Sequence, residues 1–391
     1  MFNRNNSLKI VIHILFAILA GFFCTLSTFS QEHGDNFVIG EYLKVNSKIL
    51  DEERTIVVHL PSGYDKGHHS YPVLYILDAD WEDLFTTVVA TSGYLNEFGY
   101  IPKMIVVGIC NTDRSRDMFP VKIKREPTSG GASYFLNFIS EELMPFVERK
   151  YRTEPFTMLF GGSNAGLFTV YAFLENPASF DAYIASSPGI GTIPDYFYAK
   201  AKGLFKKKSS LPQYMYMAYG EHDYPQSISH TPDFYSFLKS NSPGDFEIQM
   251  DIIENEGHVP FISLYNGLRF VFSDWAFPEN RRAEAGLDEI KQHFGRITKK
   301  YGYEVIIPAD ILIGLGYWSI RKEKITEAIE ALLLACELHP YSPDAFYYLG
   351  EAYEKNNQLD LALKNYKKAF EVDSNYLMAI KKIQSLEKKK R

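Results

Sequence analysis

The sequence predicts an α/β fold, a doubly wound and mostly parallel sheet, followed by a small all-α region. Three observations carry this. From about Phe37 to Phe277, strand-like and helix-like segments alternate, which implies a parallel sheet covered on both faces. Within that stretch Met104–Cys110 (MIVVGIC) is a near-continuous apolar run, as a central strand buried on both faces requires. After Phe277 the strand signals stop and a 34-residue self-similarity begins.

The elements follow in chain order. Residues 1–30 stand apart from the fold. Arg4 and Lys9 make a basic start, Ile10 to Cys24 is mostly apolar, and Thr28-Phe29-Ser30 offers small residues before Gln31. The apolar run is short of the roughly 20 residues a membrane span needs, so the segment reads as a secretory signal peptide cleaved near Ser30-Gln31. This places the mature protein in the periplasm or medium, with a membrane attachment only if the segment stays uncleaved. Thr55–Leu60, Pro72–Leu77 and Met104–Cys110 read as strands. Ser133–Lys150 spaces Phe135, Phe138, Ile139, Leu143 and Phe146 as a helix does. Thr157–Phe160 is a short strand entering a glycine turn, and Ala165–Glu175 is a helix stopped by Asn176-Pro177. Ala182–Ala185, Tyr214–Tyr219 and Glu247–Ile253 are further strands. Residues 37–278 thus form the α/β domain, and 279–308 a charged, helix-prone linker. In 309–391, Leu315-Gly316 recurs as Leu349-Gly350, Ala328 as Ala362 and Ala335 as Ala369. Phe346, Leu349, Gly350 and Tyr353 follow W-x2-L-G-x2-Y spacing. The region resembles two tetratricopeptide repeats, 309–342 and 343–376, capped by a helix at 377–388. Small residues at the recurring positions allow paired helices to approach closely.

Composition narrows the function. The chain has 391 residues, with 46% hydrophobic and 23% charged, so wholesale disorder and fibrous classes are excluded. Net charge is −7, and no basic block precedes the C-terminal tail, which argues against a nucleic-acid partner. Three cysteines cannot staple a fold of this size, and Cys110 and Cys336 read as buried free thiols.

The sharpest chemical signal is Gly161-Gly162-Ser163-Asn164-Ala165-Gly166, between a strand and a helix. It resembles the nucleophile elbow G-x-S-x-G, with Ala165 in place of the last glycine. A serine there is lifted out of the sheet at a strained backbone angle, and its small neighbours let strand and helix pack closely. The N–H of Asn164 points into the same space. A serine needs a base, and His258 follows the strand 247–253 at the end where sites of open α/β sheets gather; His222 is its competitor. The base needs an orienting acid. Asp223, in Gly220-Glu221-His222-Asp223, is the first choice and Glu221 the second. The order Ser163…Asp223…His258 is that of α/β-hydrolases.

At this point several segments together resemble the Putative esterase family: Tyr75-Ile76-Leu77-Asp78, Ile105–Asn111, Arg114–Pro120, Gly130–Leu136, and the elbow followed by Phe180-Asp181-Ala182-Tyr183. The resemblance spans about 40–275. It implies an α/β-hydrolase fold and an acyl-serine mechanism, with Ser163, His258 and Asp223 on the family's nucleophile, base and acid. It also implies a second oxyanion donor, Asp80 or Trp81, in the loop after the Tyr75–Leu77 strand. The family includes enterochelin-type siderophore esterases, S-formylglutathione hydrolases, feruloyl and acetyl-xylan esterases, and mycolyltransferases. The chain departs from it at Gly162, where the family has His, and at Ala165-Gly166, where it has Gly-Gly.

These readings predict a secreted serine esterase acting on a small-molecule ester, siderophore or carbohydrate-linked, without metal or cofactor. Transfer to an alcohol on the same fold, or a weakly catalytic interaction protein working through its repeats, are the alternatives. The repeats offer a surface to a protein partner. Arg114 and Arg116, after a strand end, are candidate ligands for an anionic substrate or else ion-pair with Asp113 or Asp117. Trp81, Tyr183 and Tyr196 are candidates for an aromatic site or for packing.

Overall fold

The computed structural model describes residues 37–390. The segment read as a signal peptide lies outside them. From Ile39 onward the chain forms one compact unit.

Among the described residues eight strands make a single sheet: β1 (Glu41–Ser47), β2 (Glu52–His59), β3 (Tyr71–Leu77), β4 (Ile105–Ile109), β5 (Thr153–Gly162), β6 (Ala182–Ser186), β7 (Tyr214–Gly220) and β8 (Glu247–Ile253). Their order is β1-β2-β4-β3-β5-β6-β7-β8. β1 pairs antiparallel with β2, and β2 with β4; every other pairing is parallel. The doubly wound, mostly parallel expectation therefore holds, and β1 is an addition. Its register exposes most of its side chains, so it lacks the apolar run that marks the inner strands.

Alternation along the inner strands builds a core on each face. Val73, Tyr75 and Leu77 of β3 point to one side, against helices 132–150, Asn164–Glu175, Pro194–Lys207 and Pro225–Asn241. Leu74 and Ile76 point to the other, where helices Glu82–Glu97 and Ile262–Val271 pack. The helix expected over 133–150 is present, with a wide π turn at Phe138–Leu143. Within 279–308, helix Leu287–Tyr301 buries Ile290, Phe294, Ile297 and Tyr301 in the second core, where Tyr301 meets Phe156 edge-on at 5.3 Å.

Beyond Pro308 the structure is entirely helical: Ala309–Arg321, Ile325–Leu338, Pro343–Lys355, Leu359–Val372 and Leu377–Lys390. The glycines of the repeat sit where helices touch. A Cβ at Gly316 would lie 2.4 Å from Leu332, and one at Gly350 2.7 Å from the Tyr366 ring. Ala328, Ala335, Ala362 and Ala369 are completely buried at the same contacts.

Candidate active site

β5 ends in Gly161-Gly162, and the chain turns at Ser163 into helix Asn164–Glu175. Ser163 has φ 59 and ψ −122, a conformation costly for any residue with a Cβ. The surroundings dictate the small neighbours. A Cβ at Gly161 would stand 2.4 Å from the carbonyl oxygen of Ala165, and one at Gly166 2.8 Å from that of Ser186. Ser163 N–H donates to the Ser186 carbonyl at 2.9 Å, tying the turn to β6.

Two more strand ends bring the partners. His258, beyond β8, has Nε2 2.9 Å from Ser163 Oγ, and its Nδ1 is 2.7 Å from Asp223 Oδ1. Asp223 lies beyond β7, and its carboxylate is fully buried while His258 stays 28% exposed. A carboxylate only accepts, so Nδ1 carries the proton and Nε2 is left to accept from the serine hydroxyl. The ring of Tyr224 covers the imidazole at 4.5 Å, and Tyr224 N–H donates to Asp223 Oδ1 at 2.6 Å. The structure thus brings Ser163, His258 and Asp223 together. Glu221 is directed elsewhere, accepting from Asn255 N–H at 3.0 Å, so it is not the acid that meets His258. His222 is exposed, and it is His258 whose Nε2 meets Ser163.

The loop after β3 resolves the two candidate donors. Trp81 N–H donates to the Asp78 carbonyl at 3.1 Å, so it is committed to the turn. Among the described residues the N–H groups of Asp80 and Asn164 have no partner. The loop is braced from β4. Asn111 gives its backbone N–H and its amide to the Asp80 carboxylate at 3.0 and 2.7 Å, and its amide also reaches Asp78 at 2.9 Å. Asp78 holds φ 61.

The arginines are largely spoken for. Arg114 forks onto Asp78 at 2.7 and 2.8 Å and lies over the Trp81 ring at 5.6 Å. Burial disfavours its charge, but the Asp78 carboxylate outweighs this and raises its pKa. Arg116 bonds Asp117 at 2.7 Å, and Glu52 at 2.7 and 2.9 Å. Its expected partner Asp117 is found. Asp113 instead caps the short helix Arg114–Met118 by accepting from Arg116 N–H. Neither guanidinium is a free anion receptor. Of the aromatic candidates, Tyr183 is wholly buried with its hydroxyl on the Pro177 carbonyl, which is the packing alternative and not the aromatic-site one. Tyr196 lines a groove with Glu175, Pro177 and Lys200, at the opposite end of helix 164–175 from Ser163. Only Trp81 remains by the site, half exposed.

Sequence reasoning missed Ser187. It lies just past β6, and its hydroxyl reaches Asp223 Oδ2 at 2.5 Å. The rule that picks Asp223 and His258, a polar side chain just beyond a parallel strand, applies equally to it.

Strand order, elbow and the Ser–His–Asp arrangement define a serine hydrolase of α/β-hydrolase type. Comparison with known proteins gives the particular kind. Residues 47–222 match the model of the Putative esterase family, and residues 343–376 and 320–357 match two tetratricopeptide-repeat models. The chain is 27% identical to the ferri-bacillibactin esterase BesA of Bacillus subtilis over 226 residues, 51% of this chain and 78% of that one. The structure resembles an IroE-like serine hydrolase from Shewanella oneidensis (TM-score 0.65, 26% identity, 76% of this chain and 99% of that one). It also resembles the siderophore hydrolase EstA from Aspergillus nidulans (TM-score 0.53, 25% identity, 60% and 94%). A stretch similar to the Putative esterase family is therefore followed by C-terminal tetratricopeptide repeats, and the chain is a serine esterase-type hydrolase.

Proposed function

We propose that the chain hydrolyses siderophore-type carboxylic esters through an acyl-enzyme on Ser163, outside the cytoplasm. The observation that carries the mechanism is the hydroxyl–imidazole–carboxylate chain at the strained turn, with spacings of 2.9 and 2.7 Å. Ser163 Oγ attacks the ester carbonyl carbon while its proton passes to His258 Nε2. The carbonyl oxygen becomes an oxyanion that the N–H groups of Asn164 and Asp80 receive. Losing one such donor typically costs about 10²–10³ in rate. Collapse expels the alcohol, which takes the proton from His258. Water then adds to the acyl-serine by the same steps in reverse order of partners, releasing the acid and restoring Ser163. Asp223 keeps the imidazole in the tautomer this needs and stabilises the imidazolium.

The siderophore class rests on the relatives, which are named for bacillibactin and other siderophore esters. The export reading rests on the charged and apolar pattern of residues 1–30. The repeats are read as a surface for a protein partner.

The test is a fluorophosphonate probe on the parent protein, Ser163→Ala and His258→Ala. Labelling of the parent at Ser163, with none on Ser163→Ala and a loss of orders of magnitude in rate on His258→Ala, supports the reading. A folded parent that stays unlabelled sinks it. Product analysis of a trilactone catecholate siderophore, with and without an added alcohol acceptor, then separates hydrolysis from transfer.

A further inference from the structure

The C-terminal end of β6 carries two consecutive serines with separate tasks. Ser186 holds the nucleophile's turn through its carbonyl, and its hydroxyl meets Ser263 Oγ at 3.0 Å. Ser187 leaves the strand at φ 46, with its N–H on the Ala218 carbonyl. Its side chain is completely buried. Its hydroxyl donates to Asp223 Oδ2 at 2.5 Å and accepts from Val259 N–H at 2.8 Å.

These two bonds join the acid to the base. Oδ1 of Asp223 already receives His258 Nδ1–H and Tyr224 N–H. With Oδ2 also held, the plane of the carboxylate is fixed and cannot swing away from the imidazole. At the other end of the bond pair is Val259, the residue after His258. It holds φ 58, an outlying conformation for a β-branched side chain, and such a conformation persists only when its surroundings enforce it. The Ser187 hydroxyl supplies one of those constraints.

The chemistry specifies serine. The position needs one small group that donates to a carboxylate and accepts from an N–H at once, which a hydroxyl does. Alanine does neither. Threonine has the hydroxyl, but its branched Cβ is penalised at φ 46. Glycine suits the backbone and lacks the hydroxyl. Ser187 and Asp223 are buried and Val259 is half-buried, so losing the hydroxyl leaves a buried carboxylate oxygen and a half-buried N–H short of a partner.

We propose that Ser187 is a positioning residue for the acid–base pair, coupling the Asp223 carboxylate to the backbone of the His258 turn so that both are aimed at Ser163 together. This rests on the reading of Ser163, His258 and Asp223 as the catalytic unit. It touches no substrate, so its removal acts on turnover and leaves substrate affinity alone.

The experiment compares the full chain carrying Ser187→Ala or Ser187→Gly with the parent and Ser163→Ala. Steady-state hydrolysis of 4-nitrophenyl acetate and thermal unfolding are measured on each. Both Ser187 variants are expected to lose about 10–100-fold in kcat, since misplacing a catalytic group by about 1 Å costs about 10²-fold, with KM within about twofold. Ser187→Gly is expected to melt no lower than Ser187→Ala, because its φ suits glycine, and so keeps the test open if the alanine variant folds poorly. A Ser187→Gly protein with parental kcat overturns the proposal, since the position then needs only a permissive backbone. A rise in KM at unchanged kcat overturns it too. If the folded parent is no more active than Ser163→Ala, the catalytic reading itself fails and this inference with it; an active parent isolates the Ser187 question.

Discussion

At Gly162 the chain departs from the pattern of the esterase family it resembles, and the structure gives the reason. A Cβ there would stand 2.5 Å from Cγ1 of Val259, closer than real Cβ contacts come. Val259 occupies the space that a larger residue before the serine would need, and it does so because of its left-handed backbone. The turns that carry Ser163 and His258 are therefore matched to each other at this contact. Gly162→Ala should fold, yet displace the His258 turn and lower kcat at least about tenfold, since misplacing a reacting group by about 1 Å costs about 10²-fold. Adding Val259→Ala removes the methyl groups that clash and should restore much of the loss. A double variant no better than the single one, in the same ester assay, would show that the contact is not the cause. At this scale Ser163, Asp223 and His258 were legible because each follows a strand signal in the order expected of the fold. Ser187 follows a strand too, but its partners Asp223 and Val259 are 36 and 72 residues away, and only the folded chain brings them to it.

At the level of elements, the buried guanidinium of Arg54 on β2 organises the chain beyond β4. It reaches Asp117 at 2.7 Å and the Cys110 carbonyl at 3.1 Å, and Glu52 at 2.9 Å, while Arg116 grips Glu52 and Asp117 from the other side. This network fixes the helix Arg114–Met118, whose Arg114 in turn holds Asp78 at the mouth of the site. Arg116 lowers the Glu52 pKa most, with Arg54 and Thr112 adding to it against the cost of burial, and brings it to about 2 from an ordinary 4.5. A carboxyl whose folded pKa lies below its unfolded value stabilises the fold above the unfolded pKa, and that contribution disappears as pH falls through the folded one. The window here is pH 4.5 down to about 2. Glu52→Gln should lower the urea midpoint at pH 7 and leave a shallower fall in midpoint across that window. Equal slopes for parent and variant would contradict the assignment. The sequence showed the Arg116–Asp117 neighbourhood, because those residues adjoin. It did not show Glu52, which lies on the charged end of β2, ahead of the apolar run from Thr55 that marks the strand. β1 escaped because it lacks such a run, burying only Val45 and Ser47.

Across the whole molecule, the 34-residue period marks the repeats clearly, but it does not reveal how the preceding stretch is used. Charged residues dominate the text of 279–308, and its four buried side chains on helix Leu287–Tyr301 are spaced one per turn, which a linker reading overlooks. Those side chains continue the core beneath the sheet, alongside Phe156, Phe272 and Trp275, and the same core extends to Ile311, Leu312 and Leu315 of the first repeat. The distal helices instead close over two small clusters, one around Leu332 and Leu349 and one around Tyr366 and Leu386. Removing a large buried apolar side chain typically costs about 2–5 kcal/mol, and a domain's whole stability is about 5–15 kcal/mol. A chain ending at Phe277 loses Ile290, Phe294, Ile297 and Tyr301 at once and strips the second core open, so it should be recovered only as aggregate. A chain ending at Pro340 keeps that core nearly whole, surrendering Ala345 from it together with the distal clusters. It should remain folded and hydrolyse an aryl ester at close to the parental kcat, with a modestly lower melting temperature. Soluble yield, melting curves and esterase rate on the two truncations settle the matter: a well-folded, active protein ending at Phe277 would mean that the α/β sheet does not depend on the helix behind it.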